Sequence, residues 1–120
     1  MKILLVDDNH DVLGALSRIL TAEGTQADCV DSAPRAMEAM AKAHYDLILL
    51  DIRMPDKDGL WFLRHATIPT TTPVVLMSAC RTPEVLDNLP ALGVSAFLEK
   101  PFGIAAVTRV VERFAHHSIA

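Results

Sequence analysis

Three wholly apolar runs, each closed by a polar residue, set the frame of the chain. Ile3 to Val6 ends in Asp7-Asp8, Leu47 to Leu50 ends in Asp51, and Val74 to Met77 ends in Ser78. A short apolar run without alternation is what a strand buried on both faces requires. Gln26 to Val30 and Ala96 to Leu98 read as two further strands, the second running into Glu99-Lys100-Pro101. Between them the apolar period changes to that of a helix. Asp11 to Glu23 sets Val12, Ala15, Leu16, Ile19 and Leu20 at helical spacing, with Gly24 as the stop. Ser32 caps a helix over Ala33 to Ala43 that tolerates Pro34 in its first turn. A Met-Pro-x-x-x-Gly loop leads into a short helix from Gly59 to His65. Thr82-Pro83-Glu84 opens a helix reaching Leu92, and the last helix runs from Ile104 to Ala115. Five strands alternating with five helices predict a doubly wound α/β domain, its parallel sheet covered on both faces. Ligands of such sheets lie beyond the carboxyl ends of the strands.

Composition narrows the classes. The length of 120 residues suits one domain, 1–120. It also suffices for a core that needs no disulfide or metal staple. A hydrophobic share of 51% is too high for a disordered chain. Lys plus Arg total 11 against 15 Asp plus Glu, a net charge of −4, which argues against nucleic acid as a direct partner. No apolar run approaches the ~20 residues of a membrane span. Cys29 and Cys80 make no disulfide framework and are not spaced as metal ligands, so both read as reduced thiols. The start of the chain lacks the long apolar region and cleavage site of a signal peptide, and the expected location is the cytoplasm.

The polar residues that close the strands are the candidate chemistry. In a parallel sheet Asp7, Asp8, Asp51, Ser78 and Lys100 converge on one edge. Each alone has an ordinary reading: acids at a helix start, a loop acid, a turn hydroxyl, a solvated charge. Three neighbouring carboxylates, however, repel and raise one another's pKa. A hard divalent cation such as Mg²⁺ removes that cost, and it commonly shares one or two carboxylates with a phosphate oxygen. The edge therefore suits the handling of phosphoryl groups.

Four segments carry a resemblance over nearly the whole chain: Val6-Asp7-Asp8, Leu50-Asp51-Ile52-Arg53-Met54-Pro55 with Gly59, Met77-Ser78-Ala79, and Phe97-Leu98-Glu99-Lys100-Pro101-Phe102. Together they resemble the receiver domain of two-component response regulators, a flavodoxin-like fold of strand order 2-1-3-4-5. The resemblance implies that Asp51 accepts a phosphoryl group from the phosphohistidine of a sensor kinase or a histidine phosphotransfer protein. Asp8, Asp51 and the backbone carbonyl of Arg53 would ligate Mg²⁺, with Asp7 acting through a bound water. Lys100 would pair with a phosphoryl oxygen, across a cis bond to Pro101. Ser78 matches the switch hydroxyl, where Thr is more usual, and Phe97 the aromatic switch behind it. Ala79 leaves room for an incoming imidazole. The implied output is a changed face made of the fourth helix, fifth strand and fifth helix. It would act on a downstream protein partner or an effector domain not included in these residues, and a phosphorylation-dependent homodimer fits the same scheme.

Some positions depart from that pattern. Pro90 lies inside the predicted fourth helix and would shorten or bend it. The connector between Asp51 and Ser78 is about one residue short by the resemblance, with an unusual Thr70-Thr71-Thr72, so a shortened third helix or tightened loop is expected. Arg53 and Cys80 flank the acceptor, at positions that tune phosphoryl lifetime in the family. Gly14 costs the first helix up to ~1 kcal/mol against Ala, and close packing is its expected reason. His116-His117 read as a frayed end. Two alternatives belong to other classes. An Asp-nucleophile phosphatase would carry a second acid where Arg53 stands. A nucleotide or flavin binder would carry a Gly-rich loop where Asp7-Asp8-Asn9-His10 stands. A receiver segment of a DNA-binding regulator is the alternative within the same class. On the receiver reading the chain is a signalling module and not an enzyme.

Overall fold

The computed structural model describes residues 1–79, 87 and 91–119. Strands β1 (Lys2–Val6), β2 (Gln26–Val30), β3 (Leu47–Asp51), β4 (Val74–Ser78) and β5 (Ala96–Glu99) form one sheet in the order β2-β1-β3-β4-β5. All four pairings are parallel. The described helices are α1 (His10–Ala22), α2 (Ala33–Lys42), α3 (Gly59–His65) and a C-terminal helix (Ile104–Ile119).

Strand pleating explains why the apolar runs do not alternate. Ile3, Leu5, Leu47, Leu49, Val75 and Met77 point to one face, where Leu13, Leu16 and Leu20 of α1 and Val107, Val111 and Phe114 of the C-terminal helix cover them. Leu4, Val6, Ile48, Leu50, Val74 and Leu76 point to the other, against Ala33 and Ala36 of α2 and Phe62 of α3. The three inner strands thus bury both faces, as continuous apolar runs demand. Strand β2, at one edge, is largely exposed.

Helix starts follow their caps. Asn9 accepts from the N–H groups of Asp11 and Val12, Ser32 from that of Arg35, and Asp58 from that of Trp61. The segment before β4 is held by two hydrogen bonds of Thr72. The Thr72 N–H donates to Pro69 O at 2.9 Å, and the buried Thr72 hydroxyl donates to Tyr45 O at 2.9 Å.

The structure departs from expectation at two places, the end of the C-terminal helix and Gly14. The C-terminal helix continues through His116 and His117 to Ile119, past the expected end at Ala115. The predicted fourth helix and Pro90 lie almost wholly outside the described residues, of which Ala91–Gly93 form a turn. Gly14 is not held by close packing, because a Cβ there would meet only Arg18 Nη1, at 3.8 Å. Gly14→Ala is therefore expected to stabilise the fold by up to ~1 kcal/mol, read as a higher midpoint in urea at unchanged slope.

Candidate functional site

Parallel register brings the strand ends into line. Val6 lies opposite Leu50, Asp51 opposite Met77, and Ser78 opposite Glu99. Asp7 and Asp51 therefore leave adjacent strands at the same level. Beyond β5 the Lys100 N–H donates to Ser78 O at 2.8 Å, which keeps the chain beside β4 for one residue more. The Lys100–Pro101 bond is cis, as expected.

Asp7, Asp8 and Asp51 each offer a carboxylate oxygen, and these oxygens lie within 4.8 Å of one another. Asp7 is wholly buried, Asp51 nearly so, and Asp8 is exposed. Lys100 enters the cluster from the side. Its Nζ donates to Asp7 Oδ2 at 2.7 Å and stands 3.5 Å from Asp51 Oδ1. The other Asp7 oxygen accepts from the Asn9 N–H at 2.9 Å.

Electrostatics at this edge follow from burial and from unequal charge counts. Burial first, and then the Asp7 charge, push the Asp51 carboxyl up to about 6, with Lys100 pulling the other way. Burial works against the charge on Lys100, but its hydrogen bond to Asp7 and the charges of Asp51 and Asp7 hold it above the ordinary amine range. One ammonium faces three carboxylates. The donor set is all oxygen, carries excess negative charge and opens to solvent at Asp8, and these features fit a hard divalent cation.

The remaining expected residues divide. Ser78 is buried at the end of β4, and Ala79 is exposed just beyond it. The Arg53 side chain is exposed in the loop after β3. Phe97 is half-buried, paired in register with Leu76, and packs on the core beneath α2 and α3, so it sits behind the cluster and not in it. Two residues have roles that sequence reasoning left unassigned. Asn9 both caps α1 and holds Asp7, and its place after two acids and before an apolar-periodic helix marks it as a cap. Gly59 touches the backbone of Asp51, a contact between segments that composition does not reveal.

Residues 3–112 match the family model of the response regulator receiver domain. The chain is 33% identical to the regulatory protein AtoC of Escherichia coli over 113 residues, which are 93% of this chain and 24% of that protein. It is 35% identical to the sensory/regulatory protein RpfC of Xanthomonas campestris over 106 residues, 84% of this chain and 15% of that protein. It thus spans a minor part of either relative. Among solved structures, a two-component response regulator from Clostridium difficile superposes with a TM-score of 0.90 at 25% identity, covering 100% of this chain and 99% of that one.

Proposed function

The chain belongs to the response regulator receiver family, and on that premise we propose that Asp51 is its phosphoacceptor. The observation that carries this reading is the nearly buried Asp51 carboxylate, set among two further acids with an ammonium 3.5 Å away. An Asp51 oxygen attacks the phosphorus of a phosphohistidine. The new O–P bond forms, the N–P bond breaks, and the donor imidazole leaves with the electron pair. Phosphoryl transfer passes through a loose transition state, so the protein contributes mainly position and charge. Lys100 meets one phosphoryl oxygen, exchanging its present bond to Asp7 for one to the phosphoryl group. The Ser78 hydroxyl, one strand away, donates to another. Asp8, Asp51 and the Arg53 carbonyl would hold Mg²⁺, with Asp7 acting through a bound water, and the ion supplies positive charge to the transferred group.

The phosphoryl group shifts the equilibrium only by binding one arrangement better than the other. Ser78 and Phe97 are the residues we assign to that change. Its output is the face made by residues 83–92, β5 and the C-terminal helix from Ile104 to Ala115. The module works by contact with other proteins: a sensor kinase or histidine phosphotransfer protein upstream, and a protein partner, an effector domain or a second copy downstream. On this reading it is not an enzyme, it touches nucleic acid only through an effector, and it works in the cytoplasm. Among the described residues no helix is long and apolar enough to cross a membrane.

Incubation with acetyl phosphate and Mg²⁺ is expected to add one phosphoryl group, seen as a single mass increment that hydroxylamine removes. Chelation with EDTA is expected to prevent it. Incorporation that proceeds equally well without a divalent cation would overturn the assignment.

A further inference from the structure

We propose that the start of α3 clamps the backbone of the phosphoacceptor, with Gly59 as the positioning residue; the inference rests on the phosphoacceptor reading of Asp51. A Cβ built on Gly59 runs into the Asp51 carbonyl oxygen, and lies 3.0 Å from Ile52 Cα and 3.1 Å from the Asp51 carbonyl carbon. All three neighbours are backbone atoms, so none can swing aside as a side chain does. The need for glycine here is one of close approach and not of an unusual φ.

Hydrogen bonds show what that approach achieves. The Gly59 N–H donates to Ile52 O at 2.9 Å, and the Ile52 N–H donates to Met77 O at 3.1 Å. Ile52 is therefore tied to β4 on one side and to α3 on the other. Its peptide neighbours are Asp51, which carries the reacting carboxylate, and Arg53, whose carbonyl is the proposed third ligand. The helix start that provides the tie is itself fixed. Asp58 accepts from the Trp61 N–H at 2.8 Å, and Phe62 anchors α3 in the core with no exposed surface. A methyl group at residue 59 must push α3 away or tilt the Asp51–Ile52 peptide, and either movement displaces the nucleophile and the ligand carbonyl together.

The test compares Gly59→Ala, Asp58→Ala and Gly14→Ala with the wild type, using protein shown by circular dichroism to be folded at the assay temperature. The readouts are the rate of phosphoryl incorporation from acetyl phosphate, and Mg²⁺ affinity from the emission of Trp61, the one tryptophan of the chain. Displacements of an ångström or less cost large rate factors, so Gly59→Ala is expected to slow incorporation at least about tenfold and to weaken Mg²⁺ binding several-fold. Asp58→Ala adds no atom and loosens only the cap, so it is expected to shift both readouts in the same direction by a smaller factor. Gly14→Ala is expected to match the wild type. Folded Gly59→Ala protein with wild-type rate and affinity would overturn the clamp. Should Gly59→Ala not fold, an unchanged rate and affinity in Asp58→Ala would overturn it equally. An Asp51→Asn control separates the two levels: incorporation that survives there removes the phosphoacceptor reading, whereas incorporation lost there but unchanged at residues 58 and 59 removes only the clamp.

Discussion

Replacing Asp51 with Asn is expected to abolish phosphoryl incorporation and, in the absence of metal, to make the protein more stable at neutral pH. The two effects share a cause. The folded-state pKa of Asp51 is about 6, against an unfolded value of about 3.9. The folded state therefore holds this proton more tightly than the unfolded one. The resulting penalty is absent below about pH 4, grows as pH rises through the window between the two values, and is complete above about pH 6. The difference between those two values corresponds to at most ~3 kcal/mol. Asn keeps the shape and cannot ionise. In EDTA at pH 7.5, Asp51→Asn should gain on the order of 1–3 kcal/mol in urea unfolding, and the gain should vanish by about pH 4. With Mg²⁺ present the wild type should recover much of the difference, because binding to the folded state alone adds stability. A variant no more stable than the wild type in EDTA at neutral pH would mean that Asp51 carries no such penalty.

Because a buried acid is costly, acids are found where a buried strand ends and not within it, and this makes the strand ends legible in the sequence. Continuous apolar runs require burial on both faces, and a charged residue straight after such a run lies at a sheet edge. Asp7 and Asp51 stand straight after such runs, Ser78 closes a third, and the parallel register brings these strand ends to one level. The strand order came from resemblance, because periodicity within a strand says nothing about which strand lies beside it. Other features escaped for identifiable reasons. The segment Ala115 to Ile119 contains neither Gly nor Pro, so nothing in it stops the C-terminal helix where it was expected to end. Neither glycine shows its packing in sequence: Gly14 faces only the tip of an arginine, whereas Gly59 abuts a strand end. Only the packing of α3 against β3 tells them apart. The dual role of Asn9 depends likewise on the turn that brings its N–H back to Asp7.

Charge is distributed unevenly within the cluster, and its buried carboxylates are held to different degrees. Asp7 has both oxygens engaged, one by Asn9 and one by Lys100. Asp51 has a longer contact to the same ammonium. Asp51 is thus the more weakly held carboxylate, which supports its proposed role as phosphoacceptor. Asp8 is exposed at the mouth of the cluster, where the proposed cation would enter from solvent.

Lys100→Met is expected to have the opposite sign to Asp51→Asn, and the two variants together test the charge balance. Lys100 has a folded pKa above its ordinary value, so its contribution is fully present at pH 7 and is lost only as pH rises through that folded value. Removing the ammonium leaves the wholly buried Asp7 without its 2.7 Å partner and takes from Asp51 the ammonium that stands 3.5 Å away. Deleting one member of a fully buried pair costs about 3–5 kcal/mol. Here the Lys100 side chain keeps 19% exposure and the edge admits water, so about 2–3 kcal/mol is expected at pH 7 in EDTA. Without Lys100 the Asp51 carboxyl rises further, so the loss should shrink as pH falls and protonation removes the repulsion. Added Mg²⁺ should restore part of the stability, by replacing one cation with another. Phosphoryl incorporation should slow but persist, because the nucleophile is still present. In the double variant, the gain from Asp51→Asn should fall on top of the loss from Lys100→Met with an interaction of at least about 0.5 kcal/mol, as expected for groups in contact. Simple additivity in urea unfolding would mean that the 3.5 Å approach of Lys100 to Asp51 carries no energy.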